Sequence, residues 1–124
     1  MSQERRYTVE QANAELPHLR ELLPQIREAR QGLIASSRRI SEAVAGDGGG
    51  VAGTDWFAHQ QVLRDAIQDL AARGILLRDP ETGLIDFPAE REGRPIYLCW
   101  RLDDAGDVAY FHDEQAGYGG REPL

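Results

Sequence analysis

The sequence lacks a basic cluster, has a single cysteine and contains no long apolar run, and each of these absences argues against a class of protein. All 14 basic residues among the 124 are arginines, and 21 aspartates and glutamates outnumber them, which gives a net charge of −7. Nucleic-acid-binding proteins usually carry a basic patch, and no basic cluster is present here, so we expect no nucleic-acid partner. Because Cys99 is the only cysteine, no disulfide can form within the chain, which favours the reducing cytoplasm.

Membrane insertion and export are not expected either. No stretch approaches the roughly 18 consecutive apolar residues of a membrane span, and the N-terminus has no basic segment followed by an apolar one. The length fits one domain, residues 1–124, with enough chain to bury a core without disulfides.

A first long helix is predicted from the periodicity that begins at Thr8. Thr8 and Gln11 fit a capping box, in which each side chain accepts a hydrogen bond from a backbone N–H that the helix leaves unpaired. Apolar residues spaced three and four apart continue to about Val44. Pro17 and Pro24 lie inside this pattern, so we expect a break or kink near Leu16 and a second bend near Leu23.

A second helix follows a glycine-rich linker over residues 46–53. It is predicted to begin at Thr54 or Asp55, both good N-caps, and to end at Gly74. The two helices, residues 8–74, should pair as an antiparallel hairpin. The first helix has more apolar surface than the second can cover, so we expect a homodimer through the first helix.

The periodicity changes from helix to strand after Gly74. Residues 75–113 predict an antiparallel β-meander, and residues 114–124 form a tail without periodicity. The expected fold is therefore α+β, a long antiparallel helical hairpin followed by a small antiparallel β-meander. Pro88 should end the second strand, and a charged loop should follow it. The four predicted strands are residues 75–78, 84–87, 95–102 and 108–112.

A tight turn at Asp103–Asp107 is predicted to pair the last two strands. A two- or four-residue loop gives one register, which places Cys99 opposite His112 and Arg101 opposite Tyr110. Alternation then sorts this hairpin into two faces. Apolar residues form the core face: Ile96, Leu98, Trp100, Leu102, Ala109 and Phe111. The other face carries Tyr97, Cys99, Arg101, Tyr110 and His112.

The polar face of this hairpin suggests a metal site. A thiolate and a neutral imidazole on opposed residues reach a common ion, and this pair of ligands suits zinc or iron. Asp86 or Glu114 is the candidate third ligand, which leaves one coordination position open. Asp86 lies between two apolar strand residues, where a carboxylate needs a partner, either a metal or an arginine.

Other interpretations of the same residues stay open. Cys99 also fits a small buried apolar residue beside a hydrogen-bonded histidine, or one half of a Cys–His nucleophilic pair. Arg101 and Arg121, with Tyr97 and Tyr110 beside them, form a candidate binding surface for a small anionic ligand. In an acidic chain, ion pairs with the chain's own carboxylates are the favoured interpretation of the two arginines.

Several segments resemble a family of small bacterial proteins known as domain of unknown function 2203. They are YTVEQANAELPHL (7–19), GLIDFP (83–88), GRPIYLCWR (93–101), FHD (111–113) and GYGGREPL (117–124). The resemblance leaves out the glycine insert at residues 48–50, and it names no activity. The resemblance implies a functional role for residues in its motif positions, namely Asp86, Arg94, Cys99, Trp100, Arg101, His112 and Arg121.

Two function hypotheses follow from the sequence. The first is a small cytoplasmic protein that binds one metal ion, zinc or iron, at Cys99, His112 and Asp86. The second is a non-catalytic dimeric helical interaction module in which Cys99 is structural. Neither the residues nor the resemblance indicates a reaction or a substrate.

Overall fold

The computed structural model describes the backbone of residues 6–46 and 50–124, and the side chains of residues 6–42 and 55–124. Two helices, α1 and α2, precede a five-stranded antiparallel sheet of order β1-β2-β3-β4-β5. The fold is therefore α+β. The helices span Val9–Gly46 and Gly50–Arg73, and the strands span Leu76–Asp79, Leu84–Arg91, Arg94–Arg101, Tyr110–Asp113 and Glu122–Pro123.

Helix α1 begins with the predicted capping box. The backbone N–H of Thr8 donates to Gln11 Oε1 at 2.9 Å, and the N–H of Gln11 donates to Thr8 Oγ1 at 3.1 Å. Of the predicted break or kink near Leu16, the break is wrong, because α1 is a continuous helix that includes both Pro17 and Pro24. Each proline still removes one helical hydrogen bond. The buried stripe on the same helix, Leu16, Leu19, Leu23 and Ile26, offsets that loss through its packing.

Helix α2 packs antiparallel to α1. The ring of His18 contacts Asp69, while Arg39, farther along α1, pairs with Asp55 near the start of α2. The hairpin prediction is confirmed in part, since α2 has 24 residues against 38 in α1. The linker prediction is wrong at residues 50–53, which belong to α2, and residues 47–49 lie outside the described residues. Within the described ranges, neither helix is long and apolar enough to cross a membrane.

Strand β2 continues through Pro88, where the sequence predicted its end. The Pro88 carbonyl accepts a hydrogen bond from the N–H of Tyr7 at 2.7 Å. Because the N and C=O of one strand residue point to the same side, the missing N–H of Pro88 also faces Tyr7 and not β3. The predicted charged loop shrinks to Glu92-Gly93, whose φ angles of 54° and 77° are those of a tight hairpin turn.

The register of β3 against β4 differs from the prediction by two residues. Cys99 lies opposite Tyr110, and His112 lies opposite Tyr97. The tight turn is replaced by a longer loop over residues 102–109. The side chain of Asp104 starts this loop by accepting the N–H of Arg101 at 3.0 Å, and Asn13 Oδ1 of α1 accepts the N–H of Val108 at 2.7 Å.

The sheet has two faces with different covers. Ile85, Phe87, Ile96, Leu98 and Trp100 are buried in one apolar cluster with residues of both helices. Ala109, expected on that face, is exposed, and Phe111 is half-buried. The opposite, outer face lies beneath the C-terminal tail, which adds the short helix Tyr118–Gly120 and strand β5 to the predicted fold.

Candidate metal centre

Asp86, Cys99 and His112 gather on the outer face of the sheet. One potential ligand atom from each residue lies within 4.8 Å of the other two. All three residues are buried, with exposed fractions of 2 %, 0 % and 3 %. Ligands of tetrahedral zinc stand about 3.3–3.6 Å apart, so side-chain shifts of roughly 1 Å would bring these atoms to one ion. The chemistry of the set, one oxygen, one sulfur and one nitrogen, therefore fits a transition metal.

Three neighbouring strands supply the three side chains. Asp86 of β2 lies directly opposite Cys99 of β3. His112 of β4 lies opposite Tyr97, so it is diagonal to Cys99 rather than opposite it as predicted. A shift of two residues keeps every side chain on its face, because the side-chain period of a strand is two. The predicted pairing is wrong, but the predicted grouping of Cys99 and His112 on the polar face holds.

The imidazole of His112 is oriented by both of its nitrogens. Nδ1 lies 2.7 Å from the Asp113 carbonyl, which can only accept, so Nδ1 donates its proton there. Nε2 lies 3.0 Å from Asp86 Oδ1. In the neutral ring, Nε2 then presents a lone pair to a carboxylate oxygen that is itself an acceptor. Either a proton between the two atoms or a metal ion bound to both makes this contact favourable.

Arg78, which the sequence did not single out, holds the other oxygen of Asp86. Its Nε donates to Asp86 Oδ2 at 2.8 Å, and its guanidinium lies 5.1 Å from the centre of the Tyr97 ring. The hydrogen bond to Asp86 raises the pKa of Arg78, so the guanidinium stays charged. An irregularity in the β1–β2 register between Leu77 and Asp79 flanks Arg78. The sequence pointed to such a partner only through Asp86, because a carboxylate within a strand needs an arginine or a metal beside it.

The thiol of Cys99 is held in its neutral form. Burial raises its pKa from 9.0 to about 11, the charge of Asp86 adds to the shift, and Arg121 opposes it. A catalytic thiol needs the reverse, because the thiolate is the nucleophile. This weighs against the Cys–His nucleophilic pair. A metal ligand is compatible with it, since an ion displaces the proton as it binds.

The predicted ligand-binding residues lie beside the centre, and two of them, Arg121 and Tyr110, contact each other. The Arg121 guanidinium is sandwiched between Tyr110 and Tyr118, at 4.0 and 4.3 Å from the ring centres, and its Nη1 donates to Asp104 at 3.1 Å. Arg101 donates to Asp103 at 2.6 Å. Both arginines therefore have carboxylate partners within the chain. The ring of Tyr97 lies beside the ring of His112 at a tilt of 39°, with the ring centres 5.5 Å apart.

A cleft of about 270 Å³ opens next to the three candidate ligands. Asp86 and His112 line it, and so does Glu114, the alternative carboxylate of the sequence analysis. The exposed side chain of Glu114 leaves Asp86 as the carboxylate grouped with the cysteine and the histidine. The remaining lining residues are Arg78, Leu84, Gln115, Gly117 and Tyr118.

Arg94 and Trp100, two motif residues of the resemblance, lie away from this centre. Arg94 is exposed in the β2–β3 hairpin, and Trp100 is fully buried on the helix-facing side of the sheet. Of the histidines, His18 pairs with Asp69, and His59 packs against Gly32 where the helices meet.

Comparison with known proteins gives one match. No curated protein and no solved structure matches the chain. A family model described as "Uncharacterized conserved protein (DUF2203)" matches residues 5–124, nearly the whole length and including the glycine insert. The resemblance read from the motif segments is confirmed, and the chain belongs to the DUF2203 family.

Proposed function

We propose that this protein binds one transition-metal ion, zinc or iron, through Asp86, Cys99 and His112. One observation supports this proposal above all. Three strands bring together three buried side chains of different ligand chemistry, and their ligand atoms lie within 4.8 Å of one another. The hydrogen bond from His112 Nδ1 to a carbonyl supports it, because metal-binding histidines are usually oriented in this way.

The donor set and the cleft define the chemistry that such a centre supports. Cysteine and histidine favour zinc or iron over magnesium or calcium, which prefer oxygen. Three protein ligands beside a cleft leave a coordination position for a small molecule, as in catalytic rather than structural zinc sites. Hydrolysis, redox chemistry and sensing all use such a position. A cysteine that must stay reduced to bind a metal also suits the reducing cytoplasm, where we place the protein.

Elemental analysis by mass spectrometry of the purified, tag-free protein tests the proposal. We expect near-stoichiometric zinc or iron in the wild type and a large loss in Cys99→Ala, His112→Gln and Asp86→Asn. His18→Gln is the matched control, because that ring pairs with Asp69 on the helices. Circular dichroism of each variant separates loss of the ion from loss of the fold. A folded wild type that stays metal-free after reconstitution with zinc and with iron would refute the metal centre.

A second proposal is the homodimer through α1, centred on the outer end of the helix pair. Ile34 of α1 is 44 % exposed and Phe57 of α2 is 68 % exposed. They lie at the same level of the pair, because Gly32 approaches His59 there. Phe57 is therefore not part of the core. Large apolar side chains left exposed on both helices favour association, and we propose a second copy of this chain as the partner.

Light scattering tests this proposal with two variants, Ile34→Asp and Phe57→Asp. Both should convert a dimer to a monomer without unfolding it, because both side chains are on the surface. Ile67→Asp, at a 46 % exposed position elsewhere on α2, is the control and should remain dimeric. Ile26, which belongs to the apolar stripe of α1, is not a suitable position for this test because its side chain is fully buried within one chain. A wild-type protein that is monomeric at high concentration would refute the dimer.

A further inference from the structure

A groove on the helix-facing side of the sheet, away from the metal centre, remains to be explained. It lies where the start of α1 meets the ends of β2 and β3, and its volume is about 440 Å³. This is within the range of roughly 300–1,000 Å³ that is usual for small-molecule sites. Its lining residues are Arg6, Tyr7, Thr8, Val9, Ala89, Glu90, Arg91, Ile96, Leu98 and Leu124.

The groove is apolar at its base and along part of its rim. Ala89, Ile96 and Leu98 are buried beneath it. Val9 and Leu124 keep exposed fractions of 38 % and 43 % at its edges. An aliphatic chain lying in this groove would cover both, and the hydrophobic effect makes that covering favourable.

Two arginines give the rim of the groove a positive charge. Among the described residues, no carboxylate forms an ion pair with Arg6 or Arg91, although the chain carries a net charge of −7. Arg91 lies over the Phe111 ring, with its guanidinium 4.4 Å from the ring centre. Stacking occupies the flat face of a guanidinium and leaves its N–H groups free to bind a carboxylate in the plane. Glu90 is the one acidic residue of the lining.

From this combination we propose that the groove binds an aliphatic carboxylate, with the acid group on Arg91 and the hydrocarbon chain over Ile96 and Leu98. Arg6 supplies a second positive charge, although its Nη1 already donates to the Ala89 carbonyl at 3.0 Å. The apolar floor of the groove suits a hydrocarbon chain, and the arginines of its rim suit an acid group. This site is independent of the proposed metal centre, which lies on the other face of the sheet.

Titration with octanoate, followed by NMR of the backbone amides, tests the proposal on the intact protein. We expect saturable shifts at residues 7–9, 89–91 and 96–98. Hexanoate should bind more weakly, by up to about fourfold per methylene removed. Octanol has the same chain without the charge, so it should bind about tenfold more weakly than octanoate.

Two arginine variants locate the acid group. Arg91→Gln should weaken octanoate binding about tenfold, because a charged hydrogen bond is lost. Arg64→Gln, at an exposed position on α2, is the matched control and should bind like the wild type. Equal affinity for octanoate and octanol, or no saturable shifts in the groove, would overturn the proposal without reference to any variant. Binding that is unchanged in folded Arg91→Gln would overturn the assignment of Arg91.

Discussion

The two faces of strand β3 are both buried, but by different means. Leu98 and Trp100 point to the helices, with exposed fractions of 2 % and 0 %. Cys99, between them in the chain, is equally inaccessible on the other face. Its surroundings are Asp86, His112, Arg121 and tyrosine rings, so hydrogen bonds, ion pairs and ring stacking replace apolar packing there.

The contrast is between a face that packs apolar side chains and a face that gathers polar and ionisable ones. Burying apolar area stabilises the fold directly, whereas a buried ion pair rarely gains more than its desolvation costs. An apolar outer face would hold the sheet equally well or better. The fold therefore does not require the cluster of Asp86, Cys99 and His112, which agrees with the proposed metal centre, and the following predictions test this difference.

The largest effect is expected on the helix-facing side, from Trp100→Ala. Removing a buried tryptophan should lower the free energy of unfolding by about 3–5 kcal/mol, measured by urea denaturation. Among the described residues, its indole N–H has no hydrogen-bond partner, so the loss is one of packing. Ile67→Ala, at a 46 % exposed position outside the proposed dimer contact, is the control and should change stability by less than about 0.5 kcal/mol. Similar losses in both variants would contradict this assignment of the core.

On the outer face, a single and a double substitution should have opposite outcomes. In metal-free protein, Asp86→Ala removes the partner of Arg78 and His112 and should cost about 3 kcal/mol. Asp86→Leu combined with His112→Leu replaces the buried pair by apolar volume and should come within about 1 kcal/mol of wild type. Urea denaturation of all three proteins measures both values. A double variant less stable than the single one would mean that the polar cluster serves stability.

The Cys99 thiol should make metal-free stability fall at high pH. Its pKa is raised in the folded state, so its contribution is complete below the ordinary pKa of 9.0 and is lost as the pH rises through about 11. The loss should reach at most about 3 kcal/mol. Urea denaturation at pH 8 and pH 11 measures it, and Cys99→Ala should lack this part of the change. Equal pH dependence in both proteins would show that the thiol is not held neutral.

The smallest effect concerns the tail that covers the outer face. Arg121→Met breaks the ion pair with Asp104 and the sandwich between Tyr110 and Tyr118, and should lower stability by about 1 kcal/mol. Arg30→Met is the control, because its pair with Glu81 is exposed and should contribute about 0–0.5 kcal/mol. Thermal unfolding distinguishes the two. If Arg121→Met lowers stability no more than the control does, these contacts of the tail do not contribute to stability.

Much of the fold could be predicted from local sequence patterns. The capping box at Thr8, the helix end at Gly74 and the change to strands follow from rules that involve a few neighbouring residues. The errors came from contacts distant in the chain. Pro88 stays within a strand because Tyr7 meets it there, and α1 passes Pro17 because its apolar stripe is buried against the sheet and α2.

The sequence by itself determined which side chains of β3 and β4 share a face, because strand alternation survives any register shift of two residues. Tertiary structure alone decided which of them meet. Asn13 of α1 binds the loop at Val108, and the resulting register places His112 diagonal to Cys99. The pairing of β2 with β3 then brings Asp86 opposite Cys99. Local periodicity sets the direction of a side chain, whereas its neighbours depend on loop length and on contacts between distant segments.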